Sequence, residues 1–154
     1  MTLKRLTARL ATAALMACAS ASHFAQAADA EFFNKGNAPG RPFSLAVRTG
    51  DFVFLSGQLG TDDKGLVPGG FDAQSRKAMD NIADILKGMG LGMENVVKCT
   101  IMIADMNKWA DFNKVYITYF KPGRLPARSA LGANGLALGG EVEVECMAYA
   151  PMTK

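Results

Sequence analysis

Histidine is all but missing from this chain: of 154 residues only His23 is one. It lies in an N-terminal stretch that reads as a leader, so a mature chain would hold no His general base, Ser–His pair or His metal ligand. Long apolar runs are missing as well. The run from Leu10 to Ala21 spans 12 residues, well short of the ~20 needed to cross a bilayer. Charge of one sign is the third absence. Lys4, Arg5 and Arg9 are three of the 17 basic residues and no acid lies in residues 1–27, which leaves 14 bases against 14 acids. A balanced chain with no basic cluster interleaved with aromatics offers nucleic acid no bulk attraction.

Cysteine is scarce, with Cys18 in the leader and Cys99 and Cys146 beyond it. Each of the latter two sits inside an apolar strand pattern, where Cys commonly behaves as a small apolar residue. The expectation is two free core thiols, although an oxidising compartment would permit their pairing. The composition, 49% hydrophobic, suits one domain with a real core and not two.

Residues 1–27 carry the marks of an export signal: a positive start, an apolar stretch of small residues and Leu, and the small-x-small triplet Ala25-Gln26-Ala27. Ala28-Asp29-Ala30 offers a second cleavage point. Leu15-Met16-Ala17-Cys18 is a minor alternative, a lipoprotein box with Cys18 lipidated. The expected location is the periplasm. Residues 28–40, with Asn34, Gly36, Asn37, Pro39 and Gly40, read as a flexible entry segment, and the domain proper spans 41–152.

Within that domain Ser44–Arg48 and Phe52–Gly57 flank the turn Thr49-Gly50-Asp51 as a hairpin, and 59–70 reads as a loop. Met79, Ile82, Ala83, Leu86 and Met89 recur at helical spacing over Asp72–Met89, with Asp72 as N-cap and Gly88 or Gly90 as the stop. Val96–Ala104 is a buried strand. Asn107–Phe120 is a second helix, with Trp109, Phe112, Val115, Tyr116 and Tyr119 inward and Pro122-Gly123 ending it. Strands near Ala127–Ala133 and 141–150 follow, joined by a glycine-rich bend. The order strand, strand, helix, strand, helix, strand, strand predicts an α+β fold: a single two-layer domain, one sheet with a hairpin at each end packed on two helices.

The last strand alternates strictly. Val142, Val144, Cys146 and Ala148 can face a core while Glu141, Glu143 and Glu145 line the opposite side, about 7 Å apart. Such a row needs a cation or water to answer it, and Arg128, one turn away in sequence, is the candidate. The sheet face away from the helices would then carry Arg128, the Glu row and residues such as Phe54 or Leu55. An uncovered, partly apolar face points to assembly with identical subunits.

Pro126-Ala127-Arg128-Ser129, Val142-Glu143-Val144-Glu145, Gly50–Gln58 and Phe112-Asn113-Lys114-Val115-Tyr116, in this order-preserving set over about residues 40 to 150, resemble the RidA (YjgF) family of enamine/imine deaminases. The resemblance implies a chorismate-mutase-like fold, a homotrimer with interfacial sites, and hydrolysis of 2-aminoacrylate-type acids to 2-keto acids and ammonia with neither metal nor cofactor. It implies Arg128 as carboxylate clamp and Glu143 as the group that places the attacking water. Ser56, Gly57, Asn113 and Ser129 match positions near the family's pocket. Two positions depart from it: Phe43 stands where many members have Tyr, and Ala130 where many have Cys, which makes the expected pocket more apolar. A non-catalytic trimer that binds small carboxylates or shields proteins is the alternative. An endoribonuclease fits poorly with balanced charge and missing histidine.

Overall fold

A computed structural model of the chain describes residues 29–34 and 41–151. The expected leader, with Cys18 and His23, lies outside the described residues. Nine strands and two α-helices occur among those described: β1 Glu31–Phe33, β2 Ala46–Thr49, β3 Phe52–Leu55, β4 Gln58–Leu59, β5 Thr61–Asp62, β6 Gly65–Leu66, α1 Gly70–Gly88, β7 Val96–Ile103, α2 Trp109–Tyr116, β8 Ala127–Gly132 and β9 Val142–Tyr149. The main sheet runs β1-β2-β3-β9-β7-β8, with β4 also paired to β9. Only β7–β8 is parallel among its pairings. The two-layer α+β arrangement expected from the element order is present.

Apolar alternation drives the packing. Val53, Ile101, Ile103, Val142, Val144 and Ala148 point from the sheet into a core shared with Ala78, Met79, Ile82 and Leu86 of α1 and Phe112 of α2. α1 stops where the sequence suggests: Gly90 takes a left-handed φ of 74°, open to Gly without steric cost, and its N–H bonds the Lys87 carbonyl at 3.0 Å. Asp72 is not the cap. The helix starts at Gly70, so Asp72 lies in the first turn, where a carboxylate still complements the helix dipole, and it pairs with Arg76 at 2.9 Å. α2 is shorter than expected, because 3-10 turns at Met106–Lys108 and Ile117–Tyr119 occupy both ends of the helical pattern.

Four expectations need correction. Glu31–Phe33, inside the expected flexible entry, is a strand against β2, with Phe32 opposite Val47. Phe33 packs on α1 so tightly that a Cβ at Gly88 would lie 2.8 Å from its ring, an anchor that residue-by-residue composition hides. The final two strands form no hairpin: β9 is inserted between β3 and β7, and β8 lies outside β7 in parallel. Leu55 faces the core while Phe54 is exposed on the outer face with Phe52 and Tyr149, as strict alternation from buried Val53 requires. Finally, Cys99 and Cys146 are joined as a disulfide. They are cross-strand partners in the β7–β9 ladder, and their Cα atoms stand 4.1 Å apart; opposed residues on one sheet face are close enough to bond.

β3 and β4 together act as one interrupted strand along β9. Phe54 pairs with Met147 and Gln58 with Val144, so four steps on one strand oppose three on the other. The extra residue is a β-bulge at Ser56-Gly57, a device that bends a strand and re-aims its side chains.

Candidate active site

Arg128 comes from the edge strand β8, where it pairs in register with Cys99. Side chains at such paired positions share a face, and Cys99 is wholly buried. Arg128 therefore turns toward the helices. Its Cζ lies 4.5 Å from the Trp109 ring centroid and 4.7 Å from that of Tyr116. The guanidinium borders an open depression of about 380 Å³ lined by Asn113, Tyr116, Ile117, Leu125, Pro126 and Arg128. Among the described residues it has no carboxylate partner. Two polar atoms beside it are also unanswered: Asn113 Oδ1 and the Tyr116 hydroxyl are buried without a hydrogen-bond partner. Burial, opposed by the Arg128 charge, pushes the Tyr116 phenol up to about 12, so this hydroxyl stays neutral at ordinary pH.

Glu143 lies on the opposite sheet face, beside Met102 in the ladder and across from Leu59 of β4. Its carboxylate packs against the bulge: a Cβ added to Gly57 would come within 3.0 Å of the Glu143 Cδ. Only a glycine leaves this space. Partial burial, with the Glu145 carboxylate adding to it, holds the Glu143 carboxyl above the usual carboxylate range. The bulge is fixed by its own bonds. The Ser56 hydroxyl donates to the Ser44 carbonyl at 2.6 Å, and the Gln58 amide donates to the carbonyls of Ser56 and Gly57 at 2.9 and 3.0 Å.

The expected Arg128–Glu143 pairing does not form within one protomer. In ladder terms the two are three residues and two strands apart, roughly 14 Å between backbones, and they face opposite ways. Alternation assigns faces within each strand but says nothing about which strands are neighbours. The Glu row is split as well, because Glu141 is engaged by Lys108. What the fold brings together is two half-sites: Arg128 with Asn113 on the helix side, and Glu143 with Ser56 and Gly57 on the outer face. Ser129 also faces outward, where its hydroxyl meets Lys98 Nζ at 2.7 Å. Ala130 packs against the core and Phe43 is exposed; neither lines the depression beside Arg128.

The helical pattern marks Trp109 and Tyr116 as packing residues only, and the structure adds their contact with the Arg128 guanidinium. Their seven-residue spacing, two helical turns on one face, was the available signal. Chemically, the Arg128 half can hold a planar anion through in-plane N–H groups. The Glu143 half offers a carboxyl of weakened acidity, suited to taking and returning a proton nearer neutrality.

The family model described as Endoribonuclease L-PSP matches residues 35–150. A mouse protein named 2-iminobutanoate/2-iminopropanoate deaminase is 42% identical over 109 residues, covering 70% of this chain and 80% of its own. The crystal structure of the Escherichia coli YjgF gene product superposes with a TM-score of 0.70 at 31% identity, covering 77% of this chain and 98% of that one. RidA from an Antarctic Psychrobacter superposes with a TM-score of 0.68 at 34% identity, over 73% and 91% of the two chains.

Proposed function

This chain belongs to the RidA (YjgF) family, the one described as Endoribonuclease L-PSP, and from that premise we propose that it hydrolyses 2-imino acids and their enamine tautomers to 2-keto acids and ammonia. The observation that carries the reading is the pair of complementary half-sites, a guanidinium with no carboxylate partner among the described residues on the helix side and a weakly acidic carboxyl on the outer face. Neither half suffices alone. We propose that a homotrimer joins them, the outer face of one protomer meeting the β8 edge of the next. The exposed aromatics Phe52, Phe54 and Tyr149 support burial of that face.

In the assembled cleft Arg128 holds the substrate carboxylate in two N–H bonds. Glu143 of the neighbouring copy takes a proton from water as its oxygen adds to the imine carbon, and it passes that proton to the nitrogen, which has received the C=N π pair. The resulting carbinolamine collapses: Glu143 takes the hydroxyl proton as the C=O forms and delivers it to the nitrogen, which leaves with the C–N bonding pair as ammonia. An imine carbon is already electrophilic, so positioning and one acid–base group account for the chemistry. The leader supports export, and we propose a periplasmic location.

The test is keto-acid release by residues 28–154 while 2-aminoacrylate is generated in solution. Stimulation that disappears in Arg128→Ala, with the assembly intact, is expected. No stimulation with any of several imino acids would overturn the proposal in favour of a carboxylate-binding module. RNA degradation that follows contaminating fractions instead of the assembly peak would dispose of nuclease activity.

A further inference from the structure

We infer that Trp109 and Tyr116 are positioning residues: an aromatic brace on α2 that holds the Arg128 guanidinium edge-on to a planar carboxylate. The inference rests on the proposed function above for its substrate, but not for its geometry. Residues seven apart on a helix lie about 10 Å apart along its axis on one face. A Cζ 4.5 Å from one ring centroid and 4.7 Å from the other therefore meets both rings at once.

Three observations give that double contact a purpose beyond packing. First, the cation has no carboxylate partner among the described residues, so ring quadrupoles are the groups that hold it. A guanidinium held by ring faces spends no N–H group on a protein carboxylate, and its plane is the direction from which a substrate carboxylate can take two parallel bonds. Second, the brace is itself anchored. Tyr116 is buried with its ring 5.7 Å from Phe112 and 4.8 Å from Phe120, so the guanidinium leans on a fixed wall and not on a mobile side chain. Third, Arg128 is delivered from an edge strand, which by itself leaves a long side chain many rotamers. Losing those on binding weakens affinity, and a brace removes them beforehand.

The consequence is a division of labour. The rings contribute to binding through Arg128 while touching none of the atoms that change bonds. Trp109→Leu keeps an apolar, though smaller, side chain and removes the quadrupole; it is expected to raise the KM for imino acid about 5- to 30-fold, the range of one partly desolvated cation–π contact, with kcat little changed. Trp109→Phe restores most of the loss. Tyr116→Phe, which keeps the ring and loses the hydroxyl, loses less than Tyr116→Leu, and Tyr116→Leu behaves as Trp109→Leu.

The measurements are KM and kcat in the deaminase assay, together with calorimetric titration of 2-ketobutanoate, a stable planar keto acid, into each assembled variant. Weaker 2-ketobutanoate binding in the Leu variants, rescued by Phe, supports the brace even if the wild type hydrolyses no imine, which would overturn the functional proposal alone. Unchanged binding in an assembled Trp109→Leu overturns the brace, whatever the deaminase result. Equal loss in Trp109→Phe and Trp109→Leu also overturns it, since shape and not the ring would then matter. A wild type that binds no 2-ketobutanoate overturns both.

Discussion

Replacing Gly57 with alanine separates the chemistry from the fold. The Cβ would stand 3.0 Å from Cδ and 3.2 Å from Cγ of Glu143, with Oε1 nearer still. Carbon atoms settle at about 3.5–4.0 Å, so the carboxylate must retreat by roughly 1 Å. It can do so cheaply, because the obstacle is the end of a flexible side chain. Gly57 is not among the glycines with positive φ, so alanine meets no backbone strain there and should stabilise by as much as about 0.4–1 kcal/mol through the unfolded chain. Activity should respond very differently. A catalytic group displaced by about 1 Å loses on the order of 10²-fold in rate. The expected result is therefore a kcat down about a hundredfold, an unchanged or slightly higher Tm, and retained 2-ketobutanoate binding through Arg128. Thermal unfolding and steady-state kinetics on one preparation decide it. A variant with kcat/KM within twofold of wild type would refute the placement of Glu143 against the bulge, or its part in the reaction.

Glu143→Gln tests the same carboxyl through pH. Its folded-state pKa is raised, so the native state holds the proton more firmly than the unfolded chain, and stability is lost as pH rises through the window between the two values. The Gln variant escapes that loss; its Tm should exceed the wild type's near neutrality and converge with it in acid, while its deaminase activity falls at every pH. A Tm difference that grows toward acid would reverse the assigned sign. The Cys99–Cys146 bond closes a span of 47 residues, for which chain entropy gives at most about 4 kcal/mol. Urea midpoints with and without reductant should differ accordingly, and an unreduced intact mass not lighter by two hydrogens would remove the bond. Phe54→Asp places a charge on the exposed outer face and should convert the proposed trimer to monomers by light scattering, with activity lost in parallel; an active Phe54→Asp trimer would show that this face is not the interface.

Much of the site could be read before folding was considered, and its failures have a common cause. Glu143 stands out through strict alternation and Gly57 only through the family resemblance, and the fold packs the two together at a bulge that the sequence does not announce. Arg128 is legible as a cation for the Glu row only if β8 and β9, neighbours in sequence, are also neighbours in the sheet, and β7 lies between them. The disulfide was missed for the same reason: Cys99 and Cys146 lie on separate strands, and only the β7–β9 register sets them opposite each other. Trp109 and Tyr116 were legible as inward-facing residues of a helix but not as the wall behind a guanidinium, since that role depends on a strand reached only after the helix ends.

The chain's own order of residues determined the long strands and both helices, which side of each is apolar, and which chemistry is on hand: a guanidinium and a carboxylate, with no histidine in the expected mature chain; the short strands β1, β5 and β6 it did not announce. Those properties follow from periodicity and composition, which act over a few residues. Tertiary structure alone decided that β9 enters between β3 and β7 and that β8 lies parallel beyond them. Strand pairing joins residues far apart along the chain, and an apolar face accepts any partner that buries it. In this fold that choice sent Arg128 and Glu143 to opposite faces of one sheet.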